Sequence, residues 1–252
     1  MRAKKRLGQN FLHDVGIIDR IIQIINPKSS QSIIEIGPGT GALTEHLAAC
    51  GAPLQLIEFD RDLIPVLNNR FADNPHVTIH HQDALTLELN QGPYLIVGNL
   101  PYNISSPLLI RLLQQADYIE RGVFMLQKEL VQRICAEPGS KTFGRLSVML
   151  QHRFACYAAL TVPPEAFKPI PKVDSQIIEL IPHKEFTEVP FAALEFVVKQ
   201  AFAQRRKTIR NNLKKWFSDN DLLAVGIQPS QRAETVAVNQ FEQLALQYHA
   251  SH

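Results

Sequence analysis

The stretch that most restricts what this chain can fold into runs from Ser32 to Gly51. Ser32-Ile33-Ile34-Glu35-Ile36 has the length and apolar character of a short buried strand, and Gly37-Pro38-Gly39-Thr40-Gly41 follows it directly. Leu43, Leu47 and Ala48 then fall at helical spacing up to Gly51. Strand, glycine loop and helix form the opening unit of a nucleotide-binding α/β fold. The glycines let the backbone approach a ligand closely, and the helix start favours a ligand carboxylate or phosphate.

The following strands place chemistry at their ends. Leu54 to Phe59 reads as the second strand, with Glu58 near its C-terminal end. That acid lies roughly 20 residues past the first glycine, where a carboxylate accepts hydrogen bonds from both ribose hydroxyls. The third strand, Val77 to His80, leads to Asp83, an acid able to accept from an adenine amino group. A fourth apolar run, Tyr94 to Gly98, ends in Asn99-Leu100-Pro101-Tyr102. Asn99 brings a side-chain carbonyl acceptor, Pro101 fixes the backbone, and Tyr102 offers a flat aromatic face. Together they suit a planar ring with an amino group, although Asn and Pro also serve as ordinary turn residues. Gly37-x-Gly39-x-x-Ala42 fits a dinucleotide fingerprint as well. Glu35 inside the strand before the loop, and the lack of a second mononucleotide half, lean away from NAD. With Glu58, Asp83 and Asn99 at successive strand ends, the ligand reads as S-adenosylmethionine.

Helices are expected around Val15 to Ile25, through Leu108 to Leu113, and around Glu129, Gln132 and Arg133; Gly122 to Leu126 reads as a strand. Extended segments are expected around Leu146 to Tyr157 and Gln176 to Ile181. Between those two lies a proline-dense loop with Pro163, Pro164, Pro169 and Pro171, which forbids a helix interior. Phe167, in its middle, either walls a base pocket or plugs the loop onto the core. Past Pro182 the pattern becomes helical only, which divides the chain into 1–182 and 183–252. From Val197 to Phe217, Phe202, Ile209, Leu213 and Trp216 form a stripe on one helical wheel, with Lys199, Arg206, Lys207, Arg210 and Lys214 along its flank.

A net charge of +2 hides two acid-free basic clusters, one at Arg2, Lys4, Lys5 and Arg6 and one from Lys199 to Lys215. Such clusters on a near-neutral chain point to a polyanionic partner. Cys50, Cys135 and Cys156 are widely spaced and the histidines are scattered, so neither a disulfide framework nor a metal site is expected; a reducing cytoplasm fits. No apolar run approaches bilayer length and no secretion signal is read.

The same residues resemble the bacterial 16S ribosomal RNA adenine dimethyltransferases along essentially the whole chain. The resemblance rests on Leu7-Gly8-Gln9-Asn10-Phe11-Leu12, on Glu35 to Gly41, and on Asn99-Leu100-Pro101-Tyr102-Asn103-Ile104-Ser105-Ser106-Pro107. It continues in Phe167-x-Pro169-x-Pro171-Lys172-Val173-x-Ser175 and Phe202-x-x-Arg205-Arg206-Lys207-x-x-Arg210-Asn211-Asn212-Leu213. It implies an α/β fold: a Rossmann-like S-adenosylmethionine methyltransferase domain with a small all-helical C-terminal domain for RNA and ribosome binding. It further implies cofactor contacts from Asn10, Leu12, Gly37, Glu58, Asp83 and Asn99. The implied reaction puts two methyl groups on each of two adjacent adenosines in a hairpin loop near the 3′ end of 16S rRNA. The implied substrate is an assembling small ribosomal subunit, handled by a cytoplasmic monomer.

In that setting Asn99, Tyr102 and Phe167 are the expected catalytic residues. The Asn99 side-chain and Leu100 backbone carbonyls would accept the N–H groups of the attacking adenine nitrogen, and Tyr102 and Phe167 would sandwich the extruded base. Arg206, Lys207, Arg210 and Lys214 would grip RNA phosphates. Competing readings are dimethylation of a 23S rRNA adenosine, a non-catalytic assembly factor and, more distantly, an NAD dehydrogenase.

Overall fold

The computed structural model describes residues 9–251. The basic cluster at Arg2, Lys4, Lys5 and Arg6, and Leu7-Gly8 of the first motif, lie outside the described residues. The elements run β1 (Phe11–Leu12), α1 (Val15–Ile25), β2 (Ser32–Ile36), α2 (Thr44–Ala49), β3 (Leu54–Glu58), α3 (Ile64–Arg70), β4 (Val77–His81) and β5 (Tyr94–Asn99). They continue with α4 (Ser105–Leu113), β6 (Ile119–Gln127), α5 (Lys128–Ile134), α6 (Arg145–Gln151), β7 (Phe154–Val162), β8 (Phe167–Lys168) and β9 (Ser175–Pro182). The last four are α7 (Phe191–Ala201), α8 (Ile209–Leu213), α9 (Asp219–Ala224) and α10 (Val238–Ser251).

Seven strands form one sheet in the order β4-β3-β2-β5-β6-β9-β7, and β1 pairs with β8 in a small separate sheet. The ladders from β4 to β6 are parallel, while β9 runs antiparallel to β6. The chain builds outward from β2 through β3 to β4, then returns to add β5 on the other flank of β2. That reversal opens a crevice at the carboxyl ends of β2 and β5, the usual ligand site of such sheets. Helix α1 forms as its sequence directs. Asp14 caps it by accepting from the Ile17 N–H at 2.9 Å, Ile18, Ile21 and Ile25 are buried, and Asn26 ends it in a left-handed turn.

The described residues fall into two compact units, drawn from Met1–Val131 with Tyr157–Pro182, and from Gln132–Cys156 with His183–His252. The expected break after residue 182 coincides with one crossing between them, but Gln132–Cys156 joins the second unit. The first unit is cored by Ile33, Leu54, Leu56, Leu95 and Val97 of the central strands. In the second, α7 and α10 pack through Val197, Val198, Phe241 and Leu244, all fully buried.

Two expected elements come out differently. Leu146 to Tyr157 is not one extended run: α6 takes Arg145–Gln151 and only Phe154 onward is strand. Val148, Met149 and Leu150 are all buried, and a short run buried on every side carries no period to separate helix from strand. The single helix expected from Val197 to Phe217 is broken between Ala201 and Ile209. Asn212 Nδ2 donates to the Ala201 carbonyl at 2.6 Å and closes α7, while Thr208 caps the start of α8. The continuous basic flank drawn on one wheel therefore does not exist. Helix α3 carried no signal read from the sequence.

Candidate active site

The crevice at the strand ends is a cleft of about 1230 Å3, its solvent-open part included. The residues expected to hold the cofactor, Asn10, Leu12, Gly37, Glu58, Asp83 and Asn99, all line it, and so does Tyr102.

Gly37 ends β2 in a left-handed conformation, φ +68°, which only glycine adopts without strain. Its missing side chain leaves the backbone open beside the Asn99 carbonyl. Glu58, at the end of β3, accepts from the Gly39 N–H at 3.2 Å and from the Asp60 N–H at 2.7 Å. A carboxylate has acceptor capacity beyond these backbone donors, as ribose hydroxyls require. Burial pushes the Glu58 carboxyl above its ordinary pKa, against backbone donors that pull it down. Asp83 caps the short turn after β4 by accepting from the Leu85 N–H at 2.9 Å.

Glu35 sits deeper, 2% exposed within β2. It accepts from Thr44 Oγ1 at 2.7 Å and so braces the first turn of α2 against the strand. Burial raises its pKa to about 7. Glu58, Asp60 and Asp83 give the cleft an acidic lining that suits a cationic sulfonium with hydroxyl and amino donors. The glycine cradle and this acceptor set fit S-adenosylmethionine.

The N-terminal arm forms part of the wall. Phe11 and Leu12 pair with Lys168 and Phe167, and the His13 N–H donates to the Ala166 carbonyl at 3.0 Å. Gln9 Nε2 donates to Asp60 Oδ2 at 2.8 Å. Asn99 Nδ2 donates to the Asn10 carbonyl at 3.1 Å. With the nitrogen end of the amide held by the arm, the oxygen end is turned the other way as an acceptor. Pro101 is anchored from the next helix, since Ser105 Oγ donates to its carbonyl at 3.0 Å. Tyr102 is half-buried, and its phenol is hydrogen-bonded to Ser175 Oγ at 2.9 Å.

Phe167 departs from expectation. It is 1% exposed, belongs to the core with Leu12, Val162 and Ala166, and does not line the cleft. Its pairing with Leu12 in the small sheet turns the ring inward, so of the two readings of this residue the plug is the one realised. Asp60 and Phe59 line the cleft without having been singled out from the sequence. Their signal was position: both directly follow Glu58 at a strand end. Phe59 is 57% exposed.

In the second unit, Arg206 and Lys207 are exposed in the turn between α7 and α8, and Lys214 is exposed just after α8. Among the described residues these three have no acidic partner. Arg210 grips Asp219 with its Nε 2.7 Å from Oδ1, which offsets part of its charge. Arg205 Nη2 donates to the Lys141 carbonyl at 2.7 Å and holds the turn to the 137–142 loop. Among the described residues no group of acids, histidines and cysteines could hold a metal, and no helix is long and apolar enough to cross a membrane.

A family model described as ribosomal RNA adenine dimethylase matches residues 1–249. A ribosomal RNA small subunit methyltransferase A of Hydrogenovibrio crunogenus is 50% identical, the match covering 98% of this chain and 96% of that protein. Among solved structures, a dimethyladenosine transferase from Plasmodium falciparum superposes with a TM-score of 0.85 at 26% identity, over 95% of this chain and 98% of that one. The 23S rRNA methyltransferase ErmE gives a TM-score of 0.77 at 27% identity, over 95% of this chain and 100% of its own.

Proposed function

The chain belongs to the ribosomal RNA adenine dimethylase family, and on that premise we propose that it dimethylates the N6 atoms of two adjacent adenosines in a 16S rRNA hairpin loop near the 3′ end. It is a methyltransferase whose methyl donor is S-adenosylmethionine. That cofactor supplies a methyl group already activated on a sulfonium. The protein must supply alignment and charge stabilisation, because the adenine N6 lone pair is delocalised into its ring.

The observation that carries this reading is Asn99, held by Asn10 at the mouth of an acidic cleft. Its side-chain carbonyl and that of the Leu100 backbone accept the two N–H groups of N6 as the nitrogen becomes pyramidal and positive. No strong general base is required. After the first methylation one N–H remains, and one acceptor suffices. Tyr102 provides the face on which the base stacks. Glu58 takes the ribose hydroxyls, Asp83 the adenine amino group, and Gly37 gives close backbone approach. Arg206, Lys207 and Lys214, with Arg210 partly offset by Asp219, grip phosphates of the small subunit. Grip on an assembling particle also gives the protein a place in subunit maturation. The 50% identical relative is named for the small subunit and the 27% identical structure for 23S rRNA, which supports the small subunit as substrate.

Asn99→Ala tests the assignment. On undermethylated small subunits its single-turnover rate should fall about 10²-fold or more, with S-adenosylmethionine affinity largely kept. A variant turning over at nearly the wild-type rate would remove Asn99 from this role.

A further inference from the structure

Ser175 ends the Phe167-x-Pro169-x-Pro171-Lys172-Val173-x-Ser175 stretch, yet nothing in the reaction so far uses it. It is 1% exposed, at the first position of β9 opposite Gln127 of β6. The chain reaching it is fixed one residue earlier. The Lys128 N–H donates to the Asp174 carbonyl at 3.0 Å, and Lys128 Nζ donates to Asp174 Oδ2 at 3.2 Å. A buried hydroxyl on a backbone held this firmly must find a polar partner, and it finds the Tyr102 phenol at 2.9 Å, 73 residues away in the chain.

The other end of that bond is equally well braced. Leu100 N–H donates to the Met125 carbonyl at 3.2 Å, and Ser105 Oγ holds the Pro101 carbonyl at 3.0 Å. With the turn's backbone fixed on both sides, the freedom left to Tyr102 is the rotation and tilt of its ring. The phenol–serine bond removes it. Phe167 lies in the core, so no second aromatic from the proline loop completes a sandwich, and a single ring has to be aimed in advance.

We propose that Ser175 is a positioning residue for base capture: its hydroxyl, bonded to the Tyr102 phenol, presets the ring face that receives the adenine. This rests on the reading of Tyr102 as the stacking wall. The basic surface docks the subunit first, and entry of the base into the cleft is a later step within the complex. Loss of the preset ring therefore appears in kcat and leaves the KM for the subunit in place.

The experiment measures kcat and KM on undermethylated small subunits, with S-adenosylmethionine affinity, for Ser175→Ala, Tyr102→Phe, the double variant and Tyr102→Ala. One hydrogen bond of this kind corresponds to roughly a 5- to 10-fold effect. Ser175→Ala and Tyr102→Phe should each lower kcat by that amount at unchanged KM and cofactor affinity. The double variant should be no worse than either single one. Losses that multiply in the double variant, or wild-type kcat in Tyr102→Phe, overturn the proposal; the second holds even if Ser175→Ala fails to fold. Wild-type turnover in Tyr102→Ala would instead remove the stacking wall itself, which separates failure of the premise from failure of the inference.

Discussion

At position 35 a carboxyl group lies inside the central strand, and burial lifts its pKa from 4.5 to about 7. In the unfolded chain it ionises near the ordinary value. Stability tied to its neutral form is therefore complete below pH 4.5 and is lost as pH rises to about 7. The loss is on the order of 3 kcal/mol. Glu35→Gln keeps an acceptor for Thr44 and removes the ionisation. Its denaturation midpoint, compared with wild type at pH 5 and pH 8, should show a clear gain only at the higher pH. Parallel profiles would mean that Glu35 is solvated in a way its 2% exposure denies. Phe167 makes a second prediction at this scale. As a core residue, its replacement by alanine should cost about 3–5 kcal/mol of stability, read by chemical denaturation. Unchanged stability would return the ring to the cleft. The sequence shows a carboxylate within a strand and an aromatic on a rigid loop. It does not show burial, which depends on β3 and β5 flanking Glu35 and on Leu12 arriving from far away to cover Phe167.

The strands were legible as elements because each carries an apolar run ending at residues with chemistry: the glycine loop after Ile36, then Glu58 and Asn99. Their mutual approach was not. At Gly98 a side-chain carbon would collide with the Ile36 carbonyl oxygen of the neighbouring strand. Gly98→Ala should push β5 from β2 at the crevice, lowering thermal stability and cofactor affinity together. Loss of stability with full cofactor affinity would show that the strand ends tolerate the shift. The break between α7 and α8 has the opposite cause. The apolar stripe from Phe202 to Trp216 mimics one helix, yet Thr208 and Asn212 satisfy the backbone at two helix ends, and caps of this kind override periodicity.

Across the whole molecule, the first unit carries the acidic cleft and the second an exposed basic turn, to which the proposed function assigns a cationic cofactor and an anionic substrate respectively. Subunit affinity should fall steeply with salt. Arg206→Ala with Lys207→Ala should flatten that slope without changing S-adenosylmethionine binding; an unchanged slope would move the phosphate contacts elsewhere. Overall architecture was readable from the strand–loop–helix opening and the helical tail. The allotment of Gln132–Cys156 to the second unit was not, because it follows from packing against α7 and α10 rather than from local pattern. The central claim is the reaction itself. Labelled S-adenosylmethionine should be offered to undermethylated small and large subunits, the methyl groups counted per particle, and the RNA digested. Two methyls on each of two adenosines of the small subunit, recovered as N6,N6-dimethyladenosine, is the result predicted. Label on the large subunit alone would contradict it.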